Sequence, residues 1–117
     1  DQIPNVLIAP GMQKFENSDV IIDEKAGYMI GWGMPVKDYG TIGTALVWNP
    51  SDARGIFDTE KGTFVPLQPD SNGTVSYRSM AIWHRVTAPQ PNSPEMFIEY
   101  VKKAAMMHSN PITVKYQ

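Results

Sequence analysis

The side chains best suited to chemistry are concentrated in residues 74–87, TVSYRSMAIWHRVT. This stretch has no Gly or Pro, which favours one long extended strand. Because successive side chains of a strand point to opposite faces, every second residue belongs together. The polar and aromatic face, suited to a sugar or another polar ligand, is formed by Tyr77, Ser79, Ala81, Trp83 and Arg85. The other face is apolar at its centre and is predicted to face the core; it is formed by Arg78, Met80, Ile82, His84 and Val86.

Tyr77, His84 and Arg85 are the candidate catalytic residues. Arginine can hold a carboxylate bidentately, and histidine can move a proton near neutral pH. With a Tyr or His as acid/base and an Arg on the carboxylate, elimination or epimerisation at a uronate is the chemistry expected. His84 and Arg85 are adjacent, however, and project to opposite faces unless a bulge intervenes. A core-face histidine and a cross-strand ion pair are the alternatives for these two residues.

The candidate substrate-binding residues are three tryptophans and an arginine. The indole faces of Trp83, Trp32 and Trp48 suit the apolar face of a pyranose ring, and Arg78 can bind at the rim of a sandwich. The alternative is that the tryptophans are core aromatics, since tryptophan is usually highly buried. We expect two of the three to be core, and Trp83 to be the exception because it shares its face with Tyr77.

Composition excludes several function classes. The formal net charge of -2 provides no basic surface for nucleic acid. No apolar run reaches membrane-spanning length, so no membrane partner is expected. There are no cysteines, which excludes disulfides and thiol chemistry. The 117 residues, 42% of them hydrophobic, fit a single domain or the C-terminal portion of a larger one.

Neither a metal nor a cofactor is expected. His84 and His108 are the only histidines and lack the spacing of a histidine cluster. Asp19, Asp23 and Glu24 offer carboxylate oxygens but lack the regular spacing of a calcium loop, so a solvated acidic turn is favoured. The glycines form no phosphate loop, because no strand–glycine–helix pattern surrounds them.

The remaining pattern predicts an antiparallel β-sandwich. Short strands are expected at residues 19–24, 28–34, 41–48, 54–58 and 63–68, with turn residues between them. The first two are predicted to form a hairpin. The turn at residues 69–73, PDSNG, is predicted to join the fifth strand to the long strand as another hairpin.

After the long strand the apolar period changes to that of a helix. Ser93 is a natural N-cap and Pro94 fits the first helical position. The apolar positions recur at helical spacing, at Phe97, Ile98, Val101, Ala104 and Ala105. One amphipathic helix is therefore predicted against a sheet, followed by a closing strand at residues 112–116.

The order of several short motifs resembles the C-terminal part of a bacterial domain-of-unknown-function family, the one numbered 4861. The motifs are Gly27-Tyr28 with Gly31-Trp32-Gly33, then Tyr39-Gly40-Thr41-Ile42-Gly43-Thr44-Ala45, then Tyr77 with Ala81-Ile82-Trp83, then a helix. The resemblance extends roughly over residues 5–116. It implies a sandwich similar to the large, supersandwich-like one of galactose mutarotase and several polysaccharide lyases. It also implies a secreted or periplasmic protein encoded near genes for polysaccharide breakdown, and it supplies no residue roles.

Three functional hypotheses follow. The leading one is a carbohydrate-active enzyme, with lyase- or epimerase-type chemistry on acidic or rhamnose-containing oligosaccharides in the periplasm or outside the cell. The second is a non-catalytic glycan-binding module in which Trp83 and Tyr77 form a stacking platform. The third is a structural half of a larger sandwich whose site needs a missing N-terminal segment, since Asp1-Gln2-Ile3-Pro4 does not look like a native start. An open sheet edge is then expected to make the chain alone oligomeric or poorly soluble.

Overall fold

A computed structural model describes residues 7–14, 18–33, 40–83 and 93–109. These residues form two antiparallel sheets and one α-helix. In chain order the elements are β1 (Gly11–Gln13), β2 (Ser18–Asp23), β3 (Tyr28–Gly33), β4 (Ile42–Trp48), a 3-10 turn (Pro50–Asp52), β5 (Phe57–Asp58), β6 (Gly62–Phe64), β7 (Tyr77–Trp83) and α1 (Pro94–Ser109). The predicted fold class, mainly β with antiparallel sheets and one C-terminal helix, is confirmed.

The larger sheet has the strand order β2-β3-β4-β7. The predicted hairpin of β2 and β3 is confirmed, and its turn is well bonded. An Asp23 side-chain oxygen accepts a hydrogen bond from the Ala26 N–H at 3.0 Å, and the Asp23 carbonyl accepts one from the Gly27 N–H at 2.9 Å. Gly27 has a φ of 83°, a conformation that glycine adopts without strain.

The continuous register of this sheet assigns each side chain to one of two faces, because directly paired residues share a face. We call the first the helix face; its central residues are Tyr28, Ile30, Trp32, Gly43, Ala45, Val47, Arg78, Met80 and Ile82. We call the second the sandwich face; it includes Val20, Ile22, Met29, Gly31, Thr44, Leu46, Trp48, Tyr77, Ser79, Ala81 and Trp83.

Helix α1 covers the helix face. The predicted N-cap is confirmed, since the Ser93 hydroxyl accepts a hydrogen bond from the Met96 N–H at 3.2 Å. Phe97 and Val101 are buried against the sheet, and Met80 and Ile82 of β7 are half-buried against the same cluster. The predicted core face of β7 is therefore its helix face. The charged residues Glu99, Lys102 and Lys103 are exposed, as expected for the outer face of an amphipathic helix.

The smaller sheet, with the order β1-β6-β5, packs on the sandwich face. Met12 belongs to this sheet, Val65 and Leu67 directly follow β6, and all three share one buried cluster with Met29, Leu46 and Trp48 of the larger sheet. The arrangement is sandwich-like, with the helix as an outer layer beyond the larger sheet. The smaller sheet covers the centre of the sandwich face and leaves the edge strands exposed, as the solvent-accessible side chains of β2 and β7 show.

The predicted hairpin between the fifth strand and the long strand is wrong. The turn itself forms, because an Asp70 side-chain oxygen accepts hydrogen bonds from the N–H groups of Asn72 and Thr74. However, β6 pairs with β1 and β5, whereas β7 pairs with β4. The turn therefore leads from one sheet to the other.

Several predicted strands are shorter than expected. The strand predicted at residues 54–58 is reduced to β5, and the one at 63–68 to β6, before Pro66. The predicted closing strand at residues 112–116 and the end of the long strand at 84–87 lie outside the described residues. Within the described part of the chain, no helix is both long and apolar enough to cross a membrane.

Candidate functional site

The sandwich face of β7 is the exposed surface that carries the predicted chemistry. Tyr77 is 43% exposed and Trp83 is 44% exposed. Between them on the same face lie the exposed small side chains of Ser79 and Ala81. The two aromatic residues are six positions apart in β7, which separates them by about 20 Å. These four residues form an exposed surface with an aromatic side chain at each end and small side chains at its centre. We call it the β7 strip (Tyr77, Ser79, Ala81 and Trp83).

A cleft of about 290 Å³ opens beside the centre of this strip. One side is formed by β1, through Met12 and Gln13, and the other by Ser79 of β7. Thr44 and Leu46 of β4 line the cleft between them. A ligand lying on the β7 strip can therefore reach hydroxyl and amide groups from three strands. Met12 and Gln13 could not be identified from the sequence. They belong to β1, which is far from β7 along the chain, and nothing in the sequence around them indicates that β1 and β7 line one cleft.

The start of the strip is tied to the end of α1. The Nε2 atom of His108 lies 3.1 Å from the carbonyl oxygen of Ser76, the residue before Tyr77. Because a carbonyl oxygen only accepts, Nε2 is the donor in this bond. His108 thus holds the backbone at the entrance to β7, a structural role that its position near the end of a helix did not reveal.

Trp48 lies on the same face as Trp83 but cannot contact a ligand. It is 0% exposed and belongs to the cluster between the two sheets. Its indole N–H is buried and has no hydrogen-bond acceptor among the described residues. Trp48 is therefore a core residue, and the structure removes it from the candidate binding set.

Trp32 lies on the opposite face of the sheet. Its ring packs against Phe97 of α1, with ring centroids 5.8 Å apart and an interplanar angle of 46°. A Cβ at Gly43 would lie 2.6 Å from the Trp32 ring, so only glycine leaves room for this packing. Trp32 is half-buried by these contacts. It is separated from Trp83 by the sheet and cannot share a ligand with it.

The remaining predicted site residues are not brought together with the strip. Arg78 is exposed but lies on the helix face, opposite Val47 in the register. His84 and Arg85 lie outside the described residues. Of the predicted set, the structure places only Tyr77 and Trp83 on one accessible surface.

The clearest electrostatic feature of the described chain is in the smaller sheet. The Lys14 ammonium pairs with the Asp58 carboxylate, and the Thr63 hydroxyl donates to the same carboxylate at 3.0 Å. These hydrogen bonds, with that of Lys14 the stronger, hold the pKa of Asp58 below its ordinary value of 3.8. The pair connects the end of β5 with the residue after β1, so its role is to hold the covering sheet together.

The comparison with known families agrees with the motif order. A family model described as "Domain of unknown function (DUF4861)" matches residues 1–114. The chain belongs to the DUF4861 family. No curated protein and no solved structure matches it. Membership in DUF4861 confirms the resemblance drawn from the glycine and aromatic motifs, and it assigns no activity to them.

Proposed function

We propose that this DUF4861 chain is a carbohydrate-active β-sandwich domain that binds an oligosaccharide along the β7 strip. The observation that carries the proposal is the shared exposure of Tyr77 and Trp83 on one face of β7, the outermost described strand on its side of the sheet. Aromatic rings present flat apolar surfaces with a polar edge, which match the C–H face and the hydroxyls of a sugar. The small residues between them leave the surface low enough for an extended chain of sugars.

The adjoining cleft supports binding of a polar ligand. Ser79 of the β7 strip and Thr44 beside it supply hydroxyl groups, and Gln13 supplies an amide. A mostly apolar surface with a few convergent polar groups is typical of small-molecule sites. Among the described residues β7 is the last strand of its sheet, so no described strand lies beyond it in the path of a long ligand.

The sequence-based hypothesis of lyase or epimerase chemistry stays a prediction. Of its three proposed catalytic residues, only Tyr77 lies on the described surface, and His84 and Arg85 lie outside it. The finer expectations are an acidic or rhamnose-containing substrate and a periplasmic or extracellular location. They rest on the family resemblance rather than on the geometry of the strip.

A panel of neutral and acidic oligosaccharides, titrated into the chain by calorimetry, tests the proposal. We expect saturable binding that Trp83→Ala weakens by about 10-fold or more. Stacking of a ligand ring on an aromatic side chain is worth about 1–3 kcal/mol. Tyr100→Ala is the matched control: Tyr100 is 48% exposed but lies on α1. Unchanged affinity in Trp83→Ala and Tyr77→Ala, or no binding by any member of the panel, would overturn the proposal.

The same panel separates binding from turnover. Product chromatography, together with ultraviolet absorbance for unsaturated uronates, reports elimination chemistry directly. New absorbance that is lost in a His84 variant with retained binding would support the enzyme hypothesis. Binding without product in the wild-type chain would favour the glycan-binding module.

A further inference from the structure

A second, larger cleft lies on the other side of the larger sheet from the β7 strip. It has a volume of about 660 Å³, within the range of small-molecule sites. Three segments form it: the turn between β2 and β3, the 3-10 turn after β4, and the second half of α1. Its side chains come from the helix side of the sheet, so it is separate from the β7 strip.

The wall of this cleft is fixed by close contacts between the turns. The Gly27 carbonyl accepts a hydrogen bond from the Trp48 N–H at 2.9 Å. A Cβ at Gly27 would lie 2.3 Å from the Trp48 carbonyl oxygen and 3.0 Å from the Pro50 ring, so the two segments are in direct contact. These contacts fix the turn between β2 and β3 against the 3-10 turn, and residues of both turns line the cleft.

Two lysines give the cleft a net positive lining. Lys25 and Lys102 are both exposed and line it from different segments. Among the described residues Lys102 pairs with the Glu99 carboxylate at 3.8 Å, which is too long for a hydrogen bond and leaves the ammonium protons available to a ligand. Asp23 is the one acidic residue among the lining residues, and one of its oxygens already accepts from the Ala26 N–H.

The uncharged polar groups that line the cleft are suited to hydroxyl recognition. The Asn49 side-chain oxygen accepts from both the N–H and the hydroxyl of Ser51, at 3.1 and 2.9 Å, so its amide nitrogen remains to donate. Tyr28 and Met106 add an aromatic and an apolar surface to the lining. Two cations, an amide donor and apolar surface in one cleft match a small polyhydroxylated anion.

We propose that this cleft binds a carboxylate-bearing molecule of monosaccharide size, with Lys25 and Lys102 on the carboxylate. Lysine binds such groups as a point charge, so neither lysine needs a fixed fork geometry to bind a carboxylate. The site does not depend on the β7 strip, and each can fail without the other.

Galacturonate is the probe, and its methyl ester and galactose are the uncharged comparisons, all titrated into the full chain by NMR or calorimetry. We expect saturable galacturonate binding that is about 10-fold or more tighter than that of the ester. Lys25→Gln and Lys102→Gln should each weaken it about fivefold, the upper range for an exposed ion pair. Lys103→Gln is the matched control, because Lys103 is exposed on the same helix and does not line the cleft.

Replacement of the acidic lining residue Asp23 should raise the affinity for galacturonate, whereas the lysine variants lower it. Asp23→Asn removes the negative charge but keeps an oxygen to accept from the Ala26 N–H, so galacturonate should bind a few-fold tighter. No saturable binding, equal affinity for the ester, or equal losses in Lys103→Gln and Lys102→Gln would each overturn the proposal. Trp83→Ala should leave this binding unchanged, which separates it from the site on the β7 strip.

Discussion

Two tryptophans on one face of one sheet have opposite surroundings. Trp48 and Trp83 lie at opposite ends of the paired strands β4 and β7, and both belong to the sandwich face. Trp48 is covered by the smaller sheet and is fully buried, whereas Trp83 is 44% exposed at the edge. The same side chain therefore stabilises the core in one place and presents a surface in the other. What decides between them is the extent of the covering sheet, not the strand on which each lies.

The largest expected effect is the loss of stability when the buried Trp48 is replaced. Trp48→Ala should lower the free energy of unfolding by about 3–5 kcal/mol, because it empties the cluster between the sheets. Trp83→Ala should lower it by less than about 1 kcal/mol, as for other surface positions. Denaturant unfolding of the two variants measures both values.

A second aromatic variant at the covered site refines this expectation. Trp48→Phe keeps a ring in the cluster and removes the buried indole N–H that has no acceptor among the described residues. It should therefore cost clearly less than Trp48→Ala. Equal destabilisation by Trp48→Ala and Trp83→Ala would contradict the assignment of one residue to the core and the other to the surface.

The turn that supports Trp48 gives the next effect. Gly27→Ala should destabilise the chain by at least about 2 kcal/mol, because the new Cβ combines a positive φ with a clash against the Trp48 carbonyl oxygen. Gly55 has a similar φ of 92°, but no atom lies within 4 Å of its added Cβ. Gly55→Ala is therefore the control, with an expected cost of about 1 kcal/mol. Thermal unfolding of the pair distinguishes the clash from the backbone strain, and equal costs would show that the contact is absent.

Like β7, the strand β2 has exposed apolar side chains. Val20, Ile21 and Ile22 are each 39–40% exposed, and β2 has no partner strand on its outer side among the described residues. An apolar edge of this kind favours pairing with another chain. We expect the isolated chain to self-associate, and Val20→Lys to shift it toward monomer in sedimentation experiments. A wild-type chain that is already a sharply melting monomer would contradict this expectation.

The smallest expected effect is a pH dependence of the covering sheet. The pKa of Asp58 is lowered in the folded chain by hydrogen bonds from Lys14 and Thr63. A lowered folded pKa contributes stability above the ordinary value, and this contribution is lost as the pH falls from about 4 through the folded pKa. The effect should be modest and salt-sensitive because the Asp58 side chain is 62% exposed. Asp58→Asn should flatten this part of the stability profile, and an unchanged acid limb would count against the pair.

Local features of this fold could be predicted from the sequence. Alternation along β7 assigned Met80 to the core and Tyr77 to the surface, because strand geometry depends only on neighbouring residues. The Ser93 cap and the β2–β3 hairpin were equally local. Each depends on contacts within a few residues of the chain.

Features that depend on distant parts of the chain could not be predicted. The sequence of turn Asp70–Gly73 is that of a hairpin, but β6 finds its partners in β1 and β5, so the turn changes sheet. The burial of Trp48 and the exposure of Trp83 could not be predicted for the same reason. Trp48 is covered by Met12 and Leu67, which are distant from it in sequence. The candidate site was therefore predicted as a strand face, whereas the cleft beside it was not.

The indole N–H signals of the three tryptophans show directly whether an oligosaccharide binds along the β7 strip. An NMR titration with the tightest oligosaccharide of the panel follows all three at once, and single Trp→Phe variants assign them. We expect the Trp83 signal to shift with saturation, while those of the core residue Trp48 and of Trp32, on the helix face, stay in place. A saturable shift of Trp32 or Trp48 with no change at Trp83 would show that the β7 strip is not where the glycan binds.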